Sequence, residues 1–166
     1  MKVLRVVRGG AAAALLCLAV PASAALTEIV VPASGATAST NDGNLPGNVV
    51  DNNLGTRWSG SGDGAWLQLD LGVTKMVSRL STAVYRGNER SNHFDVQSAT
   101  AAGGPWTTVL AGAATSGTSN NEEAFDFPAP VQARFIRYVG HTATLNAGGT
   151  SPWNSVTEIS LWQPGP

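Results

Sequence analysis

Oxygen-bearing side chains crowd into six residues of the segment VVDNNLGTRW, Val49 to Trp58, and three of them are spaced to converge. These three are Asp51, Asn53 and Thr56, and Gly55 lets the backbone curl between them. A hard cation such as Ca²⁺ takes about six to eight oxygens from carboxylates, hydroxyls and carbonyls. One such loop supplies about half of that shell. A carboxylate from elsewhere must help close it, and Glu158 in WNSVTEISLW offers one. The other reading of the loop is a turn in which Asp51 only caps backbone amides.

A second residue whose type stands out is Trp153. It follows the polar stretch Asn146–Pro152 and precedes an apolar strand pattern. An aromatic side chain at that place either anchors the loop or serves as a platform for a ligand. The other tryptophans fit packing. Trp66 alternates with Leu67, Leu69 and Leu71 in WLQLDLG, so one face of that strand is expected to be buried; Trp106 follows a Gly-Pro turn and Trp162 ends the last apolar run. Trp58 closes the oxygen-rich segment and is expected to plug the fold beneath it.

These residues need a scaffold, and the pattern from Ala25 onward is all-β. Short runs rich in Val, Ile, Thr, Phe and Tyr alternate with Gly, Asn, Ser and Pro clusters. Strands are predicted over Leu26–Val31, Ala65–Leu71, Met76–Tyr85, Phe94–Ala99, Trp106–Leu110, Glu123–Phe127, Ala133–Gly140 and Val156–Trp162. Turn signals NDGN, GSGDG, RGNE, AAGGP and NAGG lie between them. No stretch keeps a helical apolar period over three turns. Eight strands in one domain predict a jelly-roll β-sandwich. The domain is expected over residues 25–163, with 164–166 as a frayed tail.

Residues 1–24 are read as a secretory signal. Lys2, Arg5 and Arg8 precede the apolar run AAAALLCLAV and the cleavage pattern PASA, with processing expected before Ala25. A retained membrane anchor is the alternative. Cys17, the single cysteine, sits in that apolar run behind Leu16, where lipidation wants a small residue. The exported domain would then hold no disulfide. Without Lys2, Arg5 and Arg8, seven basic residues face eleven acidic ones, which argues against nucleic acid and anionic membranes as partners. A secreted monomer is expected.

The order ASGATAS, VVDNNLGTRW, WLQLDLG, FDVQSAT with GGPWTTV, ARFIRYVG and VTEISLW resembles the coagulation factor 5/8 type C, or discoidin, domain. More closely, it is similar to carbohydrate-binding modules of family 32. The resemblance covers nearly all of the chain after Ala25 and implies an eight-stranded, galactose-binding-domain-like jelly roll. It also implies a structural Ca²⁺ near the termini. The carbonyl of Asn48, the carboxylate of Asp51, the carbonyl of Asn53 and both oxygens of Thr56 would bind it. The carbonyl of Thr157 and the carboxylate of Glu158 would complete the shell.

In that family the ligand face lies on loops at one end of the sandwich. The loop after Trp58 often carries a His and an aromatic, but here it reads Ser59-Gly60-Ser61-Gly62-Asp63-Gly64. That departure weighs against a neutral galactose or N-acetylhexosamine ligand, which stays as the alternative. The loop YRGNERSNHF carries Arg86, Asn88, Arg90 and Asn92, and a third loop carries Trp153. An aromatic stacks on the C–H face of a sugar while Asn and Arg bond its hydroxyls. Two arginines exceed the needs of a neutral sugar, and guanidinium pairs bidentately with carboxylate. The expected ligand is therefore an acidic, uronate-containing, alginate-like polysaccharide bound by Arg86, Asn88, Arg90, Trp153 and, given a shared face, His141. The competing reading has Glu89 neutralising one arginine. The set also resembles modules found beside alginate and other uronate lyases.

Catalysis is the rival class. Tyr85, Arg86, Asn88, Arg90 and His93 fall within nine residues, a composition that uronate lyases use. Neighbouring strand residues point to opposite faces, however. The two histidines belong to no triad or zinc spacing, and no two carboxylates are paired by the pattern. A non-catalytic carbohydrate-binding module is expected, with a small polysaccharide lyase as the lesser alternative. Lipid adhesion fits poorly with the polar tips GSGDG and RGNER; protein adhesion stays open.

Overall fold

The computed structural model describes residues 25–166, so the expected signal segment, residues 1–24, lies outside the described residues. Nine strands form: β1 (Leu26–Ile29), β2 (Ala36–Ala38), β3 (Trp58–Ser61), β4 (Trp66–Val84), β5 (Arg90–Ala99), β6 (Thr107–Ala114), β7 (Glu123–Leu145), β8 (Thr150–Ser151) and β9 (Trp153–Pro164). Two short 3₁₀ turns, Ala33–Gly35 and Pro46–Val50, are the helical pieces among the described residues. None is long and apolar enough to cross a membrane.

All pairings are antiparallel, and the main order is β1-β9-β4-β7-β5-β6. The predicted jelly-roll sandwich is the fold, but its strands are fewer and longer in the middle. The runs Ala65–Leu71 and Met76–Tyr85 fuse into β4, and Glu123–Phe127 and Ala133–Gly140 fuse into β7. Both strands bend where their mutual register breaks between Asp70 and Lys75, and Gly72 sits there at φ 77°. A bend lets one strand serve two layers. The first half of β4 pairs β2 and β7, while Arg79–Val84 pairs β9. The short β2, β3 and β8 escaped the sequence pattern because two to four residues carry no period.

The core lies between the layers. In β4, Leu67 and Leu69 point inward, while Gln68 and Asp70 alternate toward the other face. Phe94 stacks on Tyr138 at 4.5 Å and meets Phe125 edge-on at 5.0 Å. Trp58 is fully buried, as expected of a plug, and its Nε1 donates to the Thr40 carbonyl at 2.8 Å. Trp66 and Trp106 pack outside the core, half-buried on either side of the Arg137 guanidinium at 4.1 and 3.8 Å. The tail does not fray: Pro164 stands opposite Leu26, and Gly165 N–H donates to the Ala25 carbonyl at 2.6 Å. β1 is a four-residue strand that needs this partner along its whole length.

Candidate functional site

The residues singled out by the sequence separate into two places and one outlier. The first place is the end of the sandwich where β9 begins. β4 ends at Val84, so Tyr85 and Arg86 lie beyond the strand, and Arg86 adopts the left-handed conformation at φ 54°. Arg86 therefore escapes strand alternation and turns back toward the ring of Tyr85. Arg90 opens β5 opposite Leu145. Trp153 opens β9 opposite Ser61, so it belongs to a strand and not to a loop tip, and it is 39% exposed.

Three guanidiniums gather around Tyr85: Arg57 at 4.3 Å from the ring centroid, Arg86 at 5.7 Å and Arg90 at 5.7 Å. Arg57 is the member that sequence reasoning missed. It lies between Thr56 and Trp58, inside a motif already assigned to metal and core. Its Nε donates to Ser59 Oγ at 3.0 Å, and that hydroxyl lies 2.8 Å from the buried Ser155 Oγ. Arg57 is thus held between an aromatic face and a fixed hydroxyl.

Arg57, Tyr85, Arg90 and Trp153 line a depression of about 240 Å³ with Asp42 and serines of β3, β8 and β9. Among the described residues, neither Arg57 nor Arg90 lies within ion-pair distance of a carboxylate. Arg90 Nε is buried without a hydrogen-bond partner. Arg86 differs, because Glu89 Oε2 sits 3.5 Å from its Nη1. Asp42 is held charged, first by the Asn44 side-chain amide at 2.8 Å and then by the Asn44 N–H at 3.0 Å. A second depression of about 430 Å³ adjoins, lined by Arg86, Asn88, Glu89, Arg90 and the turn Leu145–Ala147.

Residues 35–162 match the model of the F5/8 type C domain. The chain belongs to that family. Among solved structures, this F5/8 type C domain is similar to the "CBM32 of AlyQ in complex with 4,5-unsaturated mannuronic acid". The identity is 34%, the match covers 81% of this chain and 97% of that one, and the TM-score is 0.71. A truncated AlyQ with CBM32 and alginate lyase domains matches at 32% identity and TM-score 0.75, over 86% of this chain but only 34% of that one. A pectin binding module matches at 28% identity and TM-score 0.68, over 81% of this chain and 91% of that one. No curated protein matches. The F5/8 type C domain described here is accordingly a carbohydrate-binding module of the CBM32 type.

His141 does not join the arginines. It lies on β7, where Nδ1 is 2.5 Å from Asp63 Oδ1 and Nε2 is 3.4 Å from Asp95 Oδ2. It lines neither depression. The hydrogen bond that His141 donates to Asp63, and with it the nearby carboxylate of Asp95, raises the pKa of His141 above its ordinary 6.5 against the opposing effect of burial. A group whose pKa is raised in the folded state stabilises most when protonated. That contribution is full below the unfolded value and fades as pH rises through the folded one. The melting temperature of the wild type is expected to fall relative to His141→Gln between about pH 6 and pH 8. Parallel melting curves across that range would show that the Asp63–His141 pair contributes nothing.

The second place is the oxygen-rich loop. Thr56 Oγ1 donates to Asp51 Oδ2 at 2.7 Å or to the Asn53 carbonyl at 2.9 Å, and Asn53 N–H donates to Asp51 Oδ1 at 3.0 Å. Asn48 Nδ2 donates to the Arg57 carbonyl at 2.8 Å and closes the loop from behind. Glu158 on β9 faces this loop. Burial first, then Glu122 and Asp51, push its carboxyl up to about 7, against the amides of Asn53 and Asn52, which favour the charged form. Its Oε2 and the Thr157 Oγ1 are buried without partners. The β4–β9 register slips between Ala83 and Val84, which leaves Thr157 as the extra residue of a bulge. Two carboxylates crowded together with neutral oxygens, and an orphaned buried carboxylate oxygen among them, suit a hard cation. No group of three His, Cys, Asp or Glu side chains that could hold a metal occurs among the described residues.

Proposed function

We propose that this chain is a secreted, non-catalytic module that binds an acidic polysaccharide of the uronate class. The observation that carries this reading is the pair Arg57 and Arg90, two guanidiniums without carboxylate partners in the depression walled by Tyr85 and Trp153. Asp42 lines the same depression and its charge acts on Arg57. Among the described residues, however, no carboxylate lies within ion-pair distance of either arginine, so both guanidinium forks stay open to a ligand anion. A sugar carboxylate supplies that anion bidentately, while the indole of Trp153 takes the C–H face of the ring. The likeness at 34% identity to a module in complex with 4,5-unsaturated mannuronic acid, itself a carboxylate sugar, supports the reading.

A Ca²⁺ held by Asp51, Thr56 and Glu158, with the carbonyls of Asn48, Asn53 and Thr157, belongs to the same proposal. The ion would supply only charge balance and cross-linking, tying the 51–56 loop to β9. In this reading the arginines and Trp153 hold the sugar and Tyr85 serves as the surface on which the guanidiniums stack.

The test is retardation in native gels containing soluble alginate, polygalacturonate or a neutral galactan. Migration should slow in the two uronate polymers and stay unchanged in galactan, and the slowing should weaken with added salt. Equal retardation by the neutral polymer would overturn the acidic assignment. Release of unsaturated uronate from alginate on prolonged incubation would overturn the non-catalytic one.

A further inference from the structure

The two depressions share a wall. Arg90 lines both, and Tyr85 and Arg86 are consecutive residues that line one each. They differ in what they offer. The first holds the unpaired Arg57, the shared Arg90 and the indole of Trp153. The second has an apolar floor at Leu145 and Ala147, a polar rim at Asn88 and Asn146, and Arg86 already engaged by Glu89.

The second depression is also built on a firm frame. Asn146 N–H donates to the Glu89 carbonyl at 2.9 Å, and its side-chain amide donates to the carbonyls of Asn88 at 3.1 Å and Gly117 at 2.8 Å. Asn88 N–H in turn meets Asn120 Oδ1 at 3.3 Å. The turn 145–148 is therefore tied to the arginine loop, so the hollow between them is preformed. By itself the first depression is smaller than the ~300–1,000 Å³ usual for a ligand site, whereas the two joined fall inside that range.

Resting on the acidic-polysaccharide reading, we infer that the binding site has two subsites and takes two consecutive uronate residues. The residue between Arg57, Arg90 and Trp153 is bound by its carboxylate and ring face. Its neighbour lies on Leu145 and Ala147, hydrogen-bonds to the asparagine rim and shares Arg90. The first subsite sets the preference for acid; the second makes affinity depend on chain length.

Ala147 is exposed in a surface turn, so Ala147→Trp fills the second hollow without touching the core or the first subsite. The experiment is calorimetric titration of the full chain with mannuronic acid and with its disaccharide. The wild type should bind the disaccharide about tenfold tighter than the monosaccharide, one added set of polar contacts being worth about that factor. In Ala147→Trp the disaccharide should bind no tighter than the monosaccharide. Equal affinity of the wild type for both sugars would overturn the second subsite, as would a gain that survives in Ala147→Trp. Failure of the wild type to bind either sugar, with binding of a neutral disaccharide instead, would overturn the acidic-ligand reading itself.

Discussion

Arg57→Ala and Arg90→Ala are each expected to abolish most of the retardation in alginate, while Arg86→Ala weakens it far less. Hydrogen bonds to charged groups contribute about 1.5–3 kcal/mol, so each of the first two losses should lower affinity by roughly ten- to a hundredfold. The difference from Arg86 follows from partners. Glu89 lies 3.5 Å from Arg86, so a ligand gains only part of that guanidinium, whereas Arg57 and Arg90 have no carboxylate to leave. Arg57→Lys sharpens the test. Lysine keeps the charge but not the planar stack on Tyr85 or the fork that meets a carboxylate. It should fall between wild type and Arg57→Ala. Melting curves guard against misfolding, because Arg57 also bonds Ser59 Oγ. Wild-type retardation by a folded Arg57→Ala would remove Arg57 from the site, and a loss in Arg86→Ala as large as in Arg90→Ala would refute the ranking.

Removal of calcium is expected to lower the melting temperature by roughly 5–10 °C, with added Ca²⁺ restoring it. A ligand at about a hundred times its dissociation constant adds about 2.7 kcal/mol. In a domain of this size each kcal/mol moves the midpoint by roughly 2–4 °C. Glu158→Gln separates this cause from others. It deletes a buried carboxylate that Asp51 and Glu122 crowd, so in EDTA the variant should melt no lower than the wild type. In Ca²⁺ it should gain little or nothing. A midpoint indifferent to EDTA and Ca²⁺ in the wild type would eliminate the ion, and a Ca²⁺-induced rise undiminished in Glu158→Gln would eliminate Glu158 as its ligand.

Period-two alternation announced the strands because one face of each is buried. WLQLDLG turns Leu67 and Leu69 into the core for the same reason that it turns Gln68 to the opposite face, where Arg137 covers it. The continuity of β4 and β7 was not legible. Gly72 reads as a strand breaker, yet with the adjoining register shift it only bends the chain. Arg90 and Trp153 stood out in the sequence beside polar, turn-forming residues, and the structure sets them at the first positions of β5 and β9, lining one depression. Arg57 was hidden by its neighbours: a side chain that stacks on Tyr85 leaves no local pattern, since its partner is far along the chain. His141 failed for the converse reason. It follows ARFIRYVG directly, but strand geometry aims it at Asp63 and Asp95. For Asp51 and Thr56, short-range spacing sufficed, because a loop that bonds to itself is a local object.

β9 runs from Trp153 to Pro164, so its two ends stand about 35 Å apart at roughly 3.3 Å per residue. Its far end pairs with Leu26, and Gly165 bonds to Ala25. Both ends of the domain therefore leave from one pole while the arginine site occupies the other. A body joined at either end would hang behind the module, with its linker clear of the polymer. The module would then act as a grapnel: pulling on the line drags the grip end-on and does not peel it sideways from the strand it holds.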